Sequence, residues 1–257
     1  MRHHESDLMT RRPNNWIAGV CCTLMVASAL AQQFEREPPP AKEARPEPYL
    51  PANRVDFRLV LAPPPAGGSV SDDADDAAVM QLQKVPQTRW HSAELDDAFV
   101  YPRFDESFGR PIDRKTLPAL VSLLNRALRD VSYTTFAAKE HFQRPRPYQR
   151  DQLRRVCGEK APPKPEPHPT GGSSYPSGHS AYGWAVAMIL GRVAPNRAEA
   201  LMARAGEYAE SRVVCGVHFP SDVAAGQVIA AAVIAHLDAS PEFQADLARA
   251  RAELSPR

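Results

Sequence analysis

From Leu117 onward the apolar positions Leu117, Leu120, Val121, Leu124, Leu128 and Val131 return at helical spacing, with polar residues between them. Pro118 suits the first turn of that helix, where a missing N–H does no harm. The pattern runs to about Phe142 and must stop before Pro145 and Pro147, since proline breaks a helix and biases the preceding residue toward extended backbone. Three further helical runs follow, over about 178–192, 196–211 and 220–238. The last of these is apolar nearly all round, but its short length, Gln227 and His236 mark a core helix rather than a bilayer span. Upstream, the acidic stretch SDDADD at 71–76 places carboxylates at the positive end of a helix. One or two short helices interrupted at Pro86 carry the chain past Trp90 and Leu95. No stretch alternates convincingly at period two, and no internal repeat is present.

Length and charge narrow the picture. The 257 residues allow one large domain or two small ones. With 31 Lys and Arg against 30 Asp and Glu, the formal net charge of +1 argues against a nucleic-acid partner. Arg11 and Arg12 precede an apolar run from Trp16 to Leu30, followed by small residues, which reads as a secretory signal over residues 1–31. That run is shorter than the ~20 residues a spanning helix needs, so no stable membrane anchor is expected and the mature chain is periplasmic or secreted. Pro13-Asn14-Asn15 after the paired arginines disfavours the twin-arginine route. Residues 32–70 are rich in proline and read as an extended linker or a wrapping arm, leaving 71–257 as the helical domain. Cys157 and Cys215 remain after the signal. In an oxidising compartment two such thiols most often pair, and two buried free thiols are the alternative. Residues 148–175 form a loop rich in proline and charge, a length more often functional than idle.

Three short motifs carry the chemistry. In SRVVCGVHFPSD, Pro220 places His218 at the start of the last helix and Asp222 just inside it. A carboxylate there can accept the imidazole Nδ1–H and present Nε2 as a nucleophile. Alone, a His beside an Asp is more often structural. In SSYPSGHS, Ser177 and Gly178 open a helix whose free N–H groups favour an anion, and His179 follows at the same mouth, placed to protonate a leaving oxygen. Alone, that tetrapeptide reads as an ordinary N-cap beside an exposed His. In KEHFQRPRP, Lys139 ends a helix and Arg146 lies between two prolines; Arg212 adds a second guanidinium. Guanidinium forks match pairs of phosphate oxygens, and the ammonium acts as a point charge. Arg144 and His141 read as solvated or packing residues. Tyr175 and Phe219 fit a pocket wall or the core equally well.

Taken in order, Lys-x6-Arg-Pro, Pro-Ser-Gly-His and Ser-Arg-x5-His-x3-Asp resemble the bacterial class A nonspecific acid phosphatases. Their superfamily joins type 2 phosphatidate phosphatases and vanadium-dependent haloperoxidases. SSYPSGHS departs slightly from the usual class A GSYPSGHT, a change that touches pocket shape. The resemblance implies an all-α single domain with the site between core helices. It also implies His218 as the phosphorylated nucleophile, His179 as the acid and Asp222 behind His218. Lys139, Arg146, Ser177, Gly178 and Arg212 would surround the phosphate.

The expected activity is hydrolysis of small phosphate monoesters without a metal or cofactor, the cations doing the work of metal ions. Histidines near their ordinary ~6.5 imply a mildly acidic to neutral optimum. Homo-oligomerisation stays open. A vanadate-dependent haloperoxidase shares the pocket but is usually a larger chain. A phospholipid or isoprenyl phosphate phosphatase usually carries several membrane spans. A periplasmic anion binder would not need two histidines in different settings.

Overall fold

The computed structural model describes residues 47–51, 54–150, 153–158 and 172–254, and all its regular elements are helical. The expected signal segment, residues 32–46 of the proline-rich stretch and 159–171 of the long loop lie outside the described residues. The helices are α1 Phe57–Val60, α2 Val70–Leu82, α3 Gln87–Leu95, α4 Asp105–Phe108, α5 Pro118–Phe142, α6 Pro147–Arg150, α7 Gly178–Val193, α8 Ala198–Val214, α9 Pro220–Asp238 and α10 Pro241–Leu254.

Helix ends fall where the backbone chemistry puts them. Pro118 and Pro220 open α5 and α9, where the absent N–H would have no intrahelical partner. Pro86 separates α2 from α3 as the residue before α3's first turn. At its C-terminus α5 stops on Gln143, which takes a left-handed conformation, and residues 144–146 run outside any helix until Pro147 opens α6.

The core lies where α5, α7, α8, α9 and α10 pack together, with α7 touching each of the others. Small residues let these helices approach closely. A side chain on Gly183 would lie 2.5 Å from the Tyr208 ring, so α8 presses directly on the α7 backbone. One on Gly226 would meet the Ser177 carbonyl at 2.4 Å, so α9 sits hard against the turn that opens α7. α9 is long and apolar enough to cross a bilayer, yet Ala225, Ile229, Ala230, Val233, Ile234 and Leu237 are buried within the core.

α10 was not anticipated. Its apolar face is thin, with Phe243, Leu247 and Ala250 reaching the core between charged positions. It also completes α5: the Glu253 carboxylate accepts the Ala119 and Leu120 N–H groups at 2.7 and 3.0 Å, at a helix start that lacks a side-chain cap of its own. Residues 49 and 50 strap onto the same pair, donating both backbone N–H groups to Asp130 at 3.0 Å. The Arg126 guanidinium covers the Tyr49 ring at 3.9 Å.

Candidate active site

Gly216 takes a positive φ of 67° and turns the chain back under the last turn of α8, where the Val217 and His218 N–H groups both donate to the Arg212 carbonyl. This buries His218 to 2% exposure, one residue ahead of Phe219, the N-cap of α9. Arg146 Nη1 lies 3.2 Å from His218 Nε2. A guanidinium can only donate, so Nε2 accepts and the ring proton sits on Nδ1. On that side Asp222 Oδ2 and Ser174 Oγ each lie 3.4 Å away. Burial, then the charges of Arg146, Lys139 and Arg212, hold His218 well below the ordinary histidine range. The ring is therefore neutral, with its lone pair turned toward cations.

Asp222 is fully buried, and donors converge on it. It accepts from the Phe219 N–H at 2.8 Å, from Arg144 Nη1 at 2.7 Å and from the Ser174 hydroxyl. Burial raises its carboxyl, and Arg144, Ser174 and the Phe219 N–H oppose that rise. Its position near the start of α9 also lets it cap the helix, so one carboxylate orders the helix and faces the imidazole.

The cations come from three elements. Lys139, in the last turn of α5, donates to the Ser173 and Ser174 carbonyls at 2.6 and 3.3 Å. Burial, with Arg146 beside it, lowers its ammonium to about 7. Arg146 donates to the Gly172 and Val217 carbonyls at 3.1 and 2.8 Å. Arg212, in the last turn of α8, is 3% exposed and gives Nη2 to Asp97 at 2.6 Å. Its buried Nε and Nη1 have no hydrogen-bond partner among the described residues. Two buried donors of a permanent cation without acceptors suit an anion.

Ser177 and Gly178 stand at the same place. The Ser177 hydroxyl accepts from Ser180 N at 3.3 Å and its own N–H donates to the Asp222 carbonyl at 2.8 Å, so the turn is bound to the first turn of α9. A side chain on Gly178 would lie 3.9 Å from Lys139 Cε. His179 follows, hydrogen-bonded to the Asp97 backbone. Burial first, then the charge of Arg212, lowers it to about 3. Both histidines therefore depart from the ordinary value assumed from sequence. The structure brings Lys139, Arg146, Ser177, Gly178, His179, Arg212, His218 and Asp222 into one cluster.

Comparison with known proteins gives the family. The model of the PAP2 superfamily matches residues 117–242. A non-specific acid phosphatase of Providencia stuartii is 33% identical over 207 residues, covering 78% of this chain and 82% of the relative. An acid phosphatase of Zymomonas mobilis is 36% identical over 202 residues, covering 76% and 74%. A non-specific acid phosphatase of Salmonella typhimurium is 33% identical over 218 residues, covering 81% and 84%. The chain belongs to the PAP2 superfamily.

Three parts of this PAP2 site escaped the sequence reading. Arg144 is neither solvated nor mere packing: it is 5% exposed and binds Asp222, Asp75 at 2.8 Å and Asp72 at 3.1 Å. Its spacing held a signal, because residues two apart in an extended segment share a face. Arg144 reaches the carboxylate and Arg146 the imidazole of the same His–Asp pair. The run SDDADD held the matching one, since Asp72 and Asp75 turn inward from α2 instead of only facing its dipole. Ser174 and Asp97 had no signal of that kind. Phe219 is fully buried beneath the Arg144 and Arg150 guanidinium groups, and the Tyr175 hydroxyl donates to the Ala62 carbonyl. Cys157 and Cys215 form a disulfide that ties the loop after α6 to the segment leading into His218.

Proposed function

We propose that this acid phosphatase cleaves phosphate monoesters through a phosphohistidine on His218, acting in the periplasm or outside the cell. The observation that carries the reading is the Arg146 contact to Nε2, which leaves the lone pair of a neutral, buried imidazole facing Lys139, Arg146 and Arg212. An incoming phosphoryl group replaces the guanidinium at Nε2. The lone pair forms the N–P bond in line as the P–O bond to the alcohol breaks, and the cations and the amides opening α7 hold the three equatorial oxygens. Asp222 faces the Nδ1–H and balances the charge that the ring acquires.

His179 donates a proton to the departing alkoxide, then takes one from the water that attacks the phosphohistidine. Its depressed value comes first from burial and then from the charge of Arg212, in the site without an anion. A phosphate dianion reverses that field. A monoanionic ester brings the required proton with it. The signal-like N-terminus and the disulfide support the location.

Rapid quenching into base, in which phosphohistidine survives, followed by peptide mass analysis tests the chemistry. A phosphoryl group is expected on the peptide containing His218 and absent from His218→Ala. In His179→Ala, phosphoryl transfer from p-nitrophenyl phosphate should survive better than from an alkyl phosphate, since a good leaving group needs no acid; a general acid is worth ~10²–10⁴-fold. Label on another residue, or equal losses for both esters, would show that the roles are wrongly assigned.

A further inference from the structure

Beside His179 the chain builds a second feature that phosphate chemistry does not use. A cavity of about 370 Å³ opens between the Asp97–Val100 segment and α5, α7 and α8, and its walls include Phe99, Leu128, Tyr182 and Tyr208. It adjoins the cation cluster through two shared residues. His179 lines it, and so does Asp97, whose carboxylate accepts from Arg212. Among the described residues, no lysine or arginine is in its walls. Phe99 is 64% exposed, edge-on to Tyr101 with ring centroids 4.6 Å apart. On the inner side the buried Tyr208 ring lies 6.3 Å from the imidazole of His179.

We infer that this cavity is the subsite for the alcohol part of the ester, and that it selects uncharged, planar apolar alcohols over small aliphatic ones. The inference rests on the phosphatase reading, because only a group bonded to a phosphoryl centre at His218 would leave past His179. Three features carry it. The residue assigned to protonate the leaving oxygen is itself part of the cavity wall, so whatever departs through it enters the cavity. The size falls in the range of small-molecule pockets, about 300–1,000 Å³, and accommodates an aromatic ring. The walls are mostly apolar and aromatic, so a ring gains edge or stacking contacts there, whereas a second anionic group finds no lysine or arginine among the described wall residues and faces the Asp97 carboxylate.

Benzyl phosphate and ethyl phosphate test this, because both release an alkoxide and differ chiefly in the ring. The readout is the ratio of kcat/KM for the two esters, together with the ratio of inhibition constants for benzylphosphonate and methylphosphonate. Unmodified enzyme should favour the benzyl member in both. Phe99→Ala should lower the kcat/KM preference about three- to tenfold, the range expected for losing one aromatic partner, acting mainly through KM. Leu128→Ser, in the α5 wall, should lower it in the same direction. Val228→Ala, exposed on α9 and lining a different cavity, should leave it unchanged. Turnover of both esters with no benzyl preference, or a preference that neither wall variant moves, overturns the subsite and leaves the phosphatase reading standing. Failure to hydrolyse either ester overturns that reading and the subsite with it.

Discussion

Replacing Arg144 by methionine removes, among the described residues, the one cation that touches Asp222, Asp75 and Asp72 together. Breaking a buried ion pair by deleting one partner costs about 3–5 kcal/mol. The lower end applies here, because each carboxylate keeps another donor. Asp72 retains Arg150 at 2.7 and 2.8 Å, Asp75 retains the Ser221 N–H at 3.1 Å, and Asp222 retains Ser174 and the Phe219 N–H. A loss of ~3 kcal/mol lowers Tm by roughly 6–12 °C for a domain of this size. Catalysis should suffer as well, because Asp222 loses the charge that opposes its protonation and so faces the His218 ring less firmly. A displacement of this kind costs ~10²-fold in kcat. Arg144→Lys, keeping the charge without the fork, should fall between. Thermal melts and steady-state kinetics at pH 5–6 check both effects. Arg144→Met that melts within a degree or two of the unmodified protein and keeps its kcat would refute the reasoning.

Other outcomes follow from the same geometry. Because a monoanionic ester supplies the proton that His179 lacks in the empty site, kcat/KM should fall about tenfold per pH unit above the ester's second pKa near ~6; a flat profile to pH 8 would contradict this. Lys139, Arg146 and Arg212 supply the positive charge, so EDTA should leave turnover nearly intact and vanadate should inhibit; loss in EDTA restored by a divalent ion would exclude it. Replacing Cys157 and Cys215 together by serine opens a loop of 58 residues and should lower stability by roughly 4 kcal/mol, read from denaturant midpoints; an unshifted midpoint counts against it. The Asp72 carboxyl is held well below its usual range, first by hydrogen bonds from Arg150. Its contribution to stability is full above the unfolded value near ~3.9 and is lost as pH falls through the folded one. Asp72→Asn should therefore destabilise at pH 6 much more than at pH 2, and equal losses at both would disprove the assignment.

Much of this was legible along the chain because local chemistry coincides with the fold. Helical spacing and Pro118 placed α5 within a residue, and Pro220 did the same for α9. The eight residues of the cluster sit at helix ends and in extended links, where backbone chemistry restricts the choice of residue. α10 was hidden by its thin apolar face, and its value to the fold, Glu253 capping α5, is a contact across 133 or more positions. Arg144 was misjudged because exposure is the usual state of an arginine. Its burial depends on Asp72 and Asp75, about 70 residues earlier. The histidine values were misjudged for a related reason: a pKa records the whole shell of charges, which exists only after folding.

The family match begins at residue 117, yet the His218–Asp222 pair is held through Arg144 by carboxylates from α2, and Arg212 is held by Asp97. The boundary of a recognisable domain and the boundary of a working site are thus different objects in this chain. A fragment cut at the first would carry every motif, yet leave Arg144 with Asp222 as its one remaining carboxylate of the three and Arg212 without Asp97. For grafting or minimising this catalyst, the working unit starts no later than the turn before α2.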